Sequence, residues 1–207
     1  MSRLIGLFMC LGVLTLLMEE TGLSDGAPAP EDRNKSGAYV GGNLSFGQSR
    51  AVGESNPGVG YFASGELGYI AARQEWNRME TSLELGTGAG SFKNKKQDVQ
   101  VTLPISFFAL VKFGYGYTVS DHVFGLLKVG AGPAAATYPK KATLDKTSDE
   151  NLTGFMGLLG YDVAFAAGEA SEIVSGFEVR FLSFSGDNID SFQMNVPSIK
   201  LGVRVKL

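Results

Sequence analysis

His122, Cys10 and a glycine-rich run after an apolar segment are the features that could take part in covalent, metal or nucleotide chemistry. Ser120 and Asp121 directly precede His122, so the three residue types of a hydrolytic triad are adjacent in sequence. A triad must converge on one reacting atom, whereas consecutive strand residues point to opposite faces. Ser120-Asp121-His122 therefore reads more simply as a turn, where short polar side chains bond to nearby backbone. Cys10 is the chain's single cysteine, which excludes an internal disulfide and any Cys-based zinc site. Val129-Gly130-Ala131-Gly132-Pro133-Ala134-Ala135 mimics a dinucleotide fingerprint. That motif needs a following helix to seat the pyrophosphate, and Pro133 and Pro139 bracket only a few residues before a polar loop. The expectation is a chain with no catalytic residue, no metal and no cofactor.

The stronger constellation is electrostatic. Glu66, Glu80, Glu84, Lys112, Lys128, Asp162, Glu178, Arg180 and Lys200 lie mid-segment on the minority face of alternating stretches. The same face carries Gly86, Gly88, Gly114, Gly116, Gly154, Gly160, Gly176 and Gly202. Charges of both signs in a narrow enclosure must pair and hydrogen-bond, because an uncompensated buried charge is costly. Two readings follow: a salt-bridged plug that fixes the structure, or a narrow gated pore lined by Glu84, Lys112, Lys128, Glu178 and Arg180. The plug is the preferred reading.

The elements that hold these residues are strands. In the last ten residues Ile199, Leu201, Val203, Val205 and Leu207 alternate with Lys200, Gly202, Arg204 and Lys206, the period of a strand with two unlike faces. Similar stretches begin near Gly37, Gly60, Arg78, Val99, His122, Leu152, Glu172 and Phe192, and end near Gln48, Ala72, Ser91, Tyr117, Tyr138, Ala166, Ser185 and Leu207. The fourth is the longest, with Val99, Val101, Leu103, Ile105, Phe107, Ala109, Val111, Phe113, Tyr115 and Tyr117 on one face. In the third, Met79, Thr81, Leu83, Leu85 and Ala89 share the apolar face. Longer polar loops alternate with short turns. This predicts an all-β fold, an eight-stranded antiparallel up-and-down barrel with two unlike rims. Ahead of it, Arg3 and an apolar run from Leu4 to Met18, about fifteen residues and short of the ~20 of a spanning helix, predict a signal peptide over residues 1–26. A Pro-rich linker follows over 27–36, and the barrel occupies 37–207.

Which face meets lipid follows from composition. Only 19% of the 207 residues are charged, too few for a soluble surface, and the minority face is too polar for a lipid-carrier pocket. Tyr61, Tyr69, Tyr115, Tyr117, Tyr138 and Phe165 fall towards strand ends on the apolar face, the pattern of an aromatic girdle. The expected polarity is therefore that of a membrane barrel, with a soluble lipid-binding barrel as a further alternative. A net charge of −3 argues against nucleic acid. Lys93, Lys95 and Lys96, and Lys140, Lys141 and Lys146, place basic loops at the long-loop rim.

Two segments carry a resemblance. Gly37-Ala38-Tyr39-Val40-Gly41-Gly42-Asn43-Leu44 resembles the opening strand of small bacterial outer-membrane barrels of the OmpA/OmpX-like superfamily. Lys200-Leu201-Gly202-Val203-Arg204-Val205-Lys206-Leu207 resembles that superfamily's β-signal, carried by Lys200, Gly202, Val205 and Leu207, with Leu207 replacing the usual terminal aromatic. The resemblance implies a monomer in the outer membrane of a Gram-negative bacterium, without an appended peptidoglycan-binding domain. It also implies insertion by the barrel-assembly machinery and contact with outer-membrane lipids and lipopolysaccharide. The expected role is structural, or a surface interaction with a host or other ligand through the loops. A narrow pore for small solutes is the alternative.

Overall fold

The computed structural model describes residues 36–53, 56–74, 77–94, 99–120, 122–139, 150–168, 170–187 and 191–207. The expected signal peptide, nearly all of the linker, Cys10, Asp121, and the loop lysines Lys95, Lys96, Lys140, Lys141 and Lys146 lie outside the described residues. Eight strands follow one another: β1 (Gly37–Ala51), β2 (Asn56–Gln74), β3 (Asn77–Asn94), β4 (Val99–Ser120), β5 (Val123–Tyr138), β6 (Glu150–Ala166), β7 (Ser171–Ser185) and β8 (Phe192–Lys206). Each pairs antiparallel with its sequence neighbours, and β1 pairs with β8 to close the barrel. In that closing ladder Val40 lies opposite Val205 and Leu44 opposite Leu201. β2 begins earlier than its alternation suggests, so Pro57 and Gly58 are strand residues, and β4 continues to Ser120.

β4 does not keep one face throughout its length. Val101, Leu103 and Ile105 are buried inside the barrel, whereas Phe107, Val111, Phe113, Tyr115 and Tyr117 are exposed outside it. A β-bulge separates the two runs. Gly86 of β3 pairs with Phe108, but Gly88 pairs with Ile105, so Ser106 and Phe107 together face Thr87. One extra residue reverses the alternation of the rest of its own strand. The Thr87 hydroxyl donates to the Ile105 carbonyl at 2.6 Å, which satisfies an acceptor at the break. The expectation of a single apolar face from Val99 to Tyr117 is thus corrected. β3 keeps its parity past the bulge, so Ala89, paired with the exposed Tyr61, stays on the face of Met79 and Leu85.

The interior is divided into layers. Towards the long-loop rim, Phe62, Leu103, Ile105, Phe108, Leu110, Leu152, Met156, Leu182, Phe184, Met194 and Val196 form an apolar core. Beneath it lie the charged residues. A small apolar cluster of Phe124, Leu126, Ala164 and Val174 sits at the short-turn end. Tyr138, expected in the outer girdle, packs against the apolar core, because it has the inward parity of Lys128, Ala134 and Ala136 along β5.

Gly86 is where the upper layer meets the wall. A Cβ there would lie 2.5 Å from Phe108 Cζ and 2.5 Å from the Ala63 carbonyl oxygen. Gly86→Val is expected to lower stability by about 1–3 kcal/mol through overpacking. The check is the urea midpoint of the refolded protein in detergent, followed by heat-dependent gel mobility.

Candidate functional site

The strands direct all nine sequence-selected charges inward. Glu66, Glu80, Glu84, Lys112, Lys128, Asp162, Glu178, Arg180 and Lys200 are each at most 3% exposed. Three further charges complete the set: Arg78, Glu172 and Arg204, all buried beside them. The layer thus holds six carboxylates (Glu66, Glu80, Glu84, Asp162, Glu172 and Glu178) and six cations (Arg78, Lys112, Lys128, Arg180, Lys200 and Arg204). With every group ionised, it is neutral.

Glu66 and Glu84 are directly opposite each other on β2 and β3. Like charges in that position repel. Lys112 from β4 resolves the conflict: its Nζ lies 2.8 Å from Glu66 Oε2 and 2.7 Å from Glu84 Oε2. On one side the network continues through Glu84 to Arg180, at 2.8 Å, and on to Glu178, at 2.7 Å. On the other it passes to Lys128, whose Nζ is 3.0 Å from Glu80 and 3.1 Å from Asp162. Lys200 also binds Asp162. Arg204 donates to both Glu80 oxygens at 3.1 and 3.2 Å. Arg78 makes a two-pronged pair with Glu172, at 2.7 and 2.8 Å, and lies 2.6 Å from Glu80. The Lys206 ammonium, near the short-turn rim, lies 3.5 Å from Glu172.

Neutral donors take up remaining carboxylate lone pairs. The Tyr39 hydroxyl and Asn43 Nδ2 donate to Glu66 at 2.7 and 3.0 Å, Ser64 donates to Glu84, and Ser45 donates to Glu178. Space for these long side chains comes from glycines opposite them. Lys112 faces Gly130, Lys128 faces Gly114 and Gly160, Lys200 faces Gly176, and Arg204 faces Gly41. A Cβ on Gly130 would come within 2.7 Å of Lys112 Cγ.

Arg78 and Glu172 share the inward parity of Glu80 and Glu178 along their strands, so the alternation already marked them. Their positions near strand ends kept them out of the expected set. Tyr39 was visible only within the resemblance motif. It lies across Gly68, where a Cβ would be 2.5 Å from its Cζ. Lys200 and Gly202 of the expected β-signal face inward, while Val205 and Leu207 are exposed. His122 is a turn residue between β4 and β5, and its carbonyl accepts from Ala166 N at 2.9 Å. Gly130 and Gly132 of the fingerprint-like run are β5 residues paired across to β4 and β6.

The outer surface is the counterpart of this interior. Leu44, Phe46, Leu67, Leu83, Val111, Phe113, Leu127, Val129, Phe155, Leu159, Ile199 and Leu201 are all exposed around the barrel. Tyr61, Tyr69, Tyr115 and Tyr117 are also exposed, and Phe165 is half-buried. The Tyr117 and Tyr161 hydroxyls lie 2.9 Å apart on this surface.

No family model and no curated protein matches the chain. Among solved structures, Neisserial surface protein A matches with a TM-score of 0.53 at 16% identity, over 84% of this chain and 99% of that one. The barrel of Ail, the attachment invasion locus protein of Yersinia pestis, in complex with the heparin analogue sucrose octasulfate, gives 0.44 at 14% identity, over 81% and 99%. The outer membrane protein OprG of Pseudomonas aeruginosa gives 0.42 at 13%, over 85% and 98%. The first of these likenesses shows a shared fold, the closed eight-stranded barrel.

Lys112 is the most sensitive point of the interior. Lys112→Met is expected to destabilise the barrel by about 3–5 kcal/mol, because it leaves Glu66 and Glu84 adjacent and without their common cation. Adding Glu66→Gln to that variant should recover part of the loss. Urea unfolding of the two variants beside the parent provides the comparison, and a double variant no more stable than Lys112→Met would refute the clamp.

Proposed function

We propose that this chain is an outer-membrane β-barrel with a sealed lumen, which serves as a membrane anchor and meets surface or host ligands through its long-loop rim. The observation that carries the reading is the pairing of an apolar exterior with a charged, neutralised interior. An uninterrupted ring of exposed Leu, Val, Ile, Phe and Tyr has no place in water, and exposed apolar area on this scale marks a membrane or interaction surface. A closed barrel satisfies its backbone internally, which is the requirement for crossing hydrocarbon with strands. The shared fold with a Neisserial surface protein supports the same setting.

Sealing is supported by two successive layers. An ion entering from the long-loop side would first meet Phe62, Phe108, Leu110 and Met156, and then a network whose charges are already paired to one another. Hydrophobic constrictions and paired charges both oppose conduction. Insertion by the barrel-assembly machinery, a monomeric state, contact with lipopolysaccharide and the absence of catalysis belong to the same proposal. The reading of residues 1–26 as a signal peptide belongs to it too.

Planar-bilayer recording tests the sealed lumen. The native protein is expected to show no stable unitary current, and Arg180→Ala combined with Phe108→Ala is expected to introduce one by thinning both layers. Reproducible ion-selective openings of the native protein, altered by Glu84→Ala, would establish the pore instead. Membrane fractionation and heat-modifiable gel migration separate either from a soluble lipid-binding barrel.

A further inference from the structure

Two phenols meet on the outer wall towards the short-turn end. Tyr117 of β4 and Tyr161 of β6 are not on adjacent strands; β5 runs between them. Gly125 of β5 pairs with Tyr117 on one side and Val163 on the other, and Tyr161 lies opposite Leu127, the next outward residue of β5. The two phenols therefore approach diagonally over Gly125, and their hydroxyl oxygens are 2.9 Å apart. A Cβ at Gly125 would come within 2.4 Å of Tyr161 Oη and 3.0 Å of Tyr117 Cζ, so the contact depends on the absence of a side chain there. We propose that this pair is an oxidative coupling site: Tyr117 and Tyr161 intercept peroxyl radicals of the lipid phase and become joined covalently across β5. The inference rests on the membrane reading above.

Hydrogen bonding and location select these two phenols. Hydrocarbon offers a hydroxyl no water, and here each hydroxyl finds the other. One donates and the other accepts, so the accepting hydroxyl keeps its own hydrogen directed away from the contact. Loss of that hydrogen leaves a phenoxyl oxygen that still receives the partner's hydrogen bond, which stabilises the radical relative to an isolated phenoxyl. Tyr117 is exposed on the belt, with Leu127 beside it and Val119 beyond it towards the turn also exposed. At ~3.3 Å per residue and a tilt near 40°, it lies roughly 8 Å inside the end of β4, within reach of a radical carried by lipid. Other tyrosines have different neighbours. The Tyr39 hydroxyl is buried and donates to Glu66. Tyr61 lies opposite Phe46 and Ala89, Tyr69 opposite Ala38 and Thr81, and Tyr115 opposite Met79 and Leu127.

The chemistry balances with peroxyl radicals as the oxidant. One peroxyl radical takes the hydroxyl hydrogen atom of one phenol and leaves as a hydroperoxide, and a second does the same at the other phenol. The two phenoxyl radicals then contribute one electron each to a single new bond. That bond joins two ring carbons ortho to the oxygens, or one oxygen to an ortho carbon of the other ring. Each ring bonded through carbon passes the hydrogen of that carbon to its own oxygen and recovers its aromaticity. The protein has lost two hydrogen atoms, and two radicals have been reduced with none released. Because the barrel wall holds the phenols in contact, the coupling step is intramolecular and needs no encounter. The product joins residues 44 positions apart and fastens β4 to β6 over β5.

Radical generation in one phase at a time tests this. The full chain is refolded into vesicles of polyunsaturated phospholipid, and flotation and heat-modifiable mobility confirm that it is incorporated and folded. Aerated samples then receive a lipid-soluble or a water-soluble azo initiator. After proteolysis, mass spectrometry should recover the Tyr117 and Tyr161 peptides as one species, two hydrogens lighter than their sum. With the lipid-soluble initiator it should exceed every other tyrosine–tyrosine product several-fold. Tyr117→Phe and Tyr161→Phe should each abolish it while keeping the belt apolar. Gly125→Ala, which retains both phenols but parts them, should reduce it several-fold. Floated, folded protein without this product would overturn the inference. So would equal coupling among Tyr61, Tyr69 and Tyr115, coupling unchanged by Gly125→Ala, or a product formed mainly with the water-soluble initiator. Folded protein that does not float with the vesicles would instead overturn the membrane reading itself.

Discussion

Charges removed from water must be neutralised where they stand, and the barrel interior is organised around that constraint. The most demanding point is the direct opposition of Glu66 and Glu84 on adjacent strands. No hairpin register favours two facing carboxylates, so β2 and β3 depend on a cation delivered from β4. Lys112 arrives because Val111 and Phe113 on either side of it face outward. The register that places these apolar residues outside is therefore the register that neutralises the pair inside. A one-residue slip would do more than expose the wrong face: it would leave two buried carboxylates uncompensated. Electrostatics and hydrophobic patterning thus specify the same alignment.

The bulge marks the limit of that alignment. Well below Thr87 the wall is apolar outside and charged inside; above it the inside is apolar and the outside carries many amides and hydroxyls. An extra residue in β4 turns that strand's apolar side chains inward, β6 to β8 change composition at constant parity, and Gly86 leaves room for the Phe108 ring at the transition. The two sections then require different environments. The lower one is stable where its exterior is shielded from water, and the upper one where its exterior is wetted or hydrogen-bonded. In the proposed setting the position of the barrel along the membrane normal follows from this internal feature, without help from the loops.

The order and type of the strands were legible because each hairpin partner repeats the period of two. The lumen charges were legible for the same reason, since Glu80, Glu84, Lys112 and Lys128 keep the parity of their strands. The reversal was harder to read. From Phe107 to Leu110 the sequence is apolar at both parities, Phe-Phe-Ala-Leu, so alternation stops discriminating at the point where the face changes. That loss of contrast is itself the available signal for a bulge. Tyr138 was misplaced for a different reason: along β5 it keeps the inward parity of Lys128, which its position near a strand end obscured. The network's membership was only partly visible, since pairing such as Arg78 with Glu172 joins residues 94 positions apart and depends on how the barrel closes.

The distribution of arginine and lysine follows from what each cation can touch. Arg180 lies at the upper boundary of the charged layer, with its guanidinium 4.5 Å from the Phe62 ring centre and 4.9 Å from that of Phe108, while its edge binds Glu84 and Glu178. At the other end Arg78 stacks over Phe124 at 5.2 Å and pairs with Glu172, and Arg204 stacks over Tyr39 at 4.9 Å and pairs with Glu80. A planar guanidinium can present a face to an aromatic ring and its edge to a carboxylate at once; an ammonium is a compact point charge that needs oxygens around it. Lys112, Lys128 and Lys200 accordingly lie among the carboxylates between these boundaries. The charged layer can therefore end against apolar side chains without an uncompensated cation at either surface, and this allows a neutral ionic network and packed hydrocarbon to share one narrow barrel.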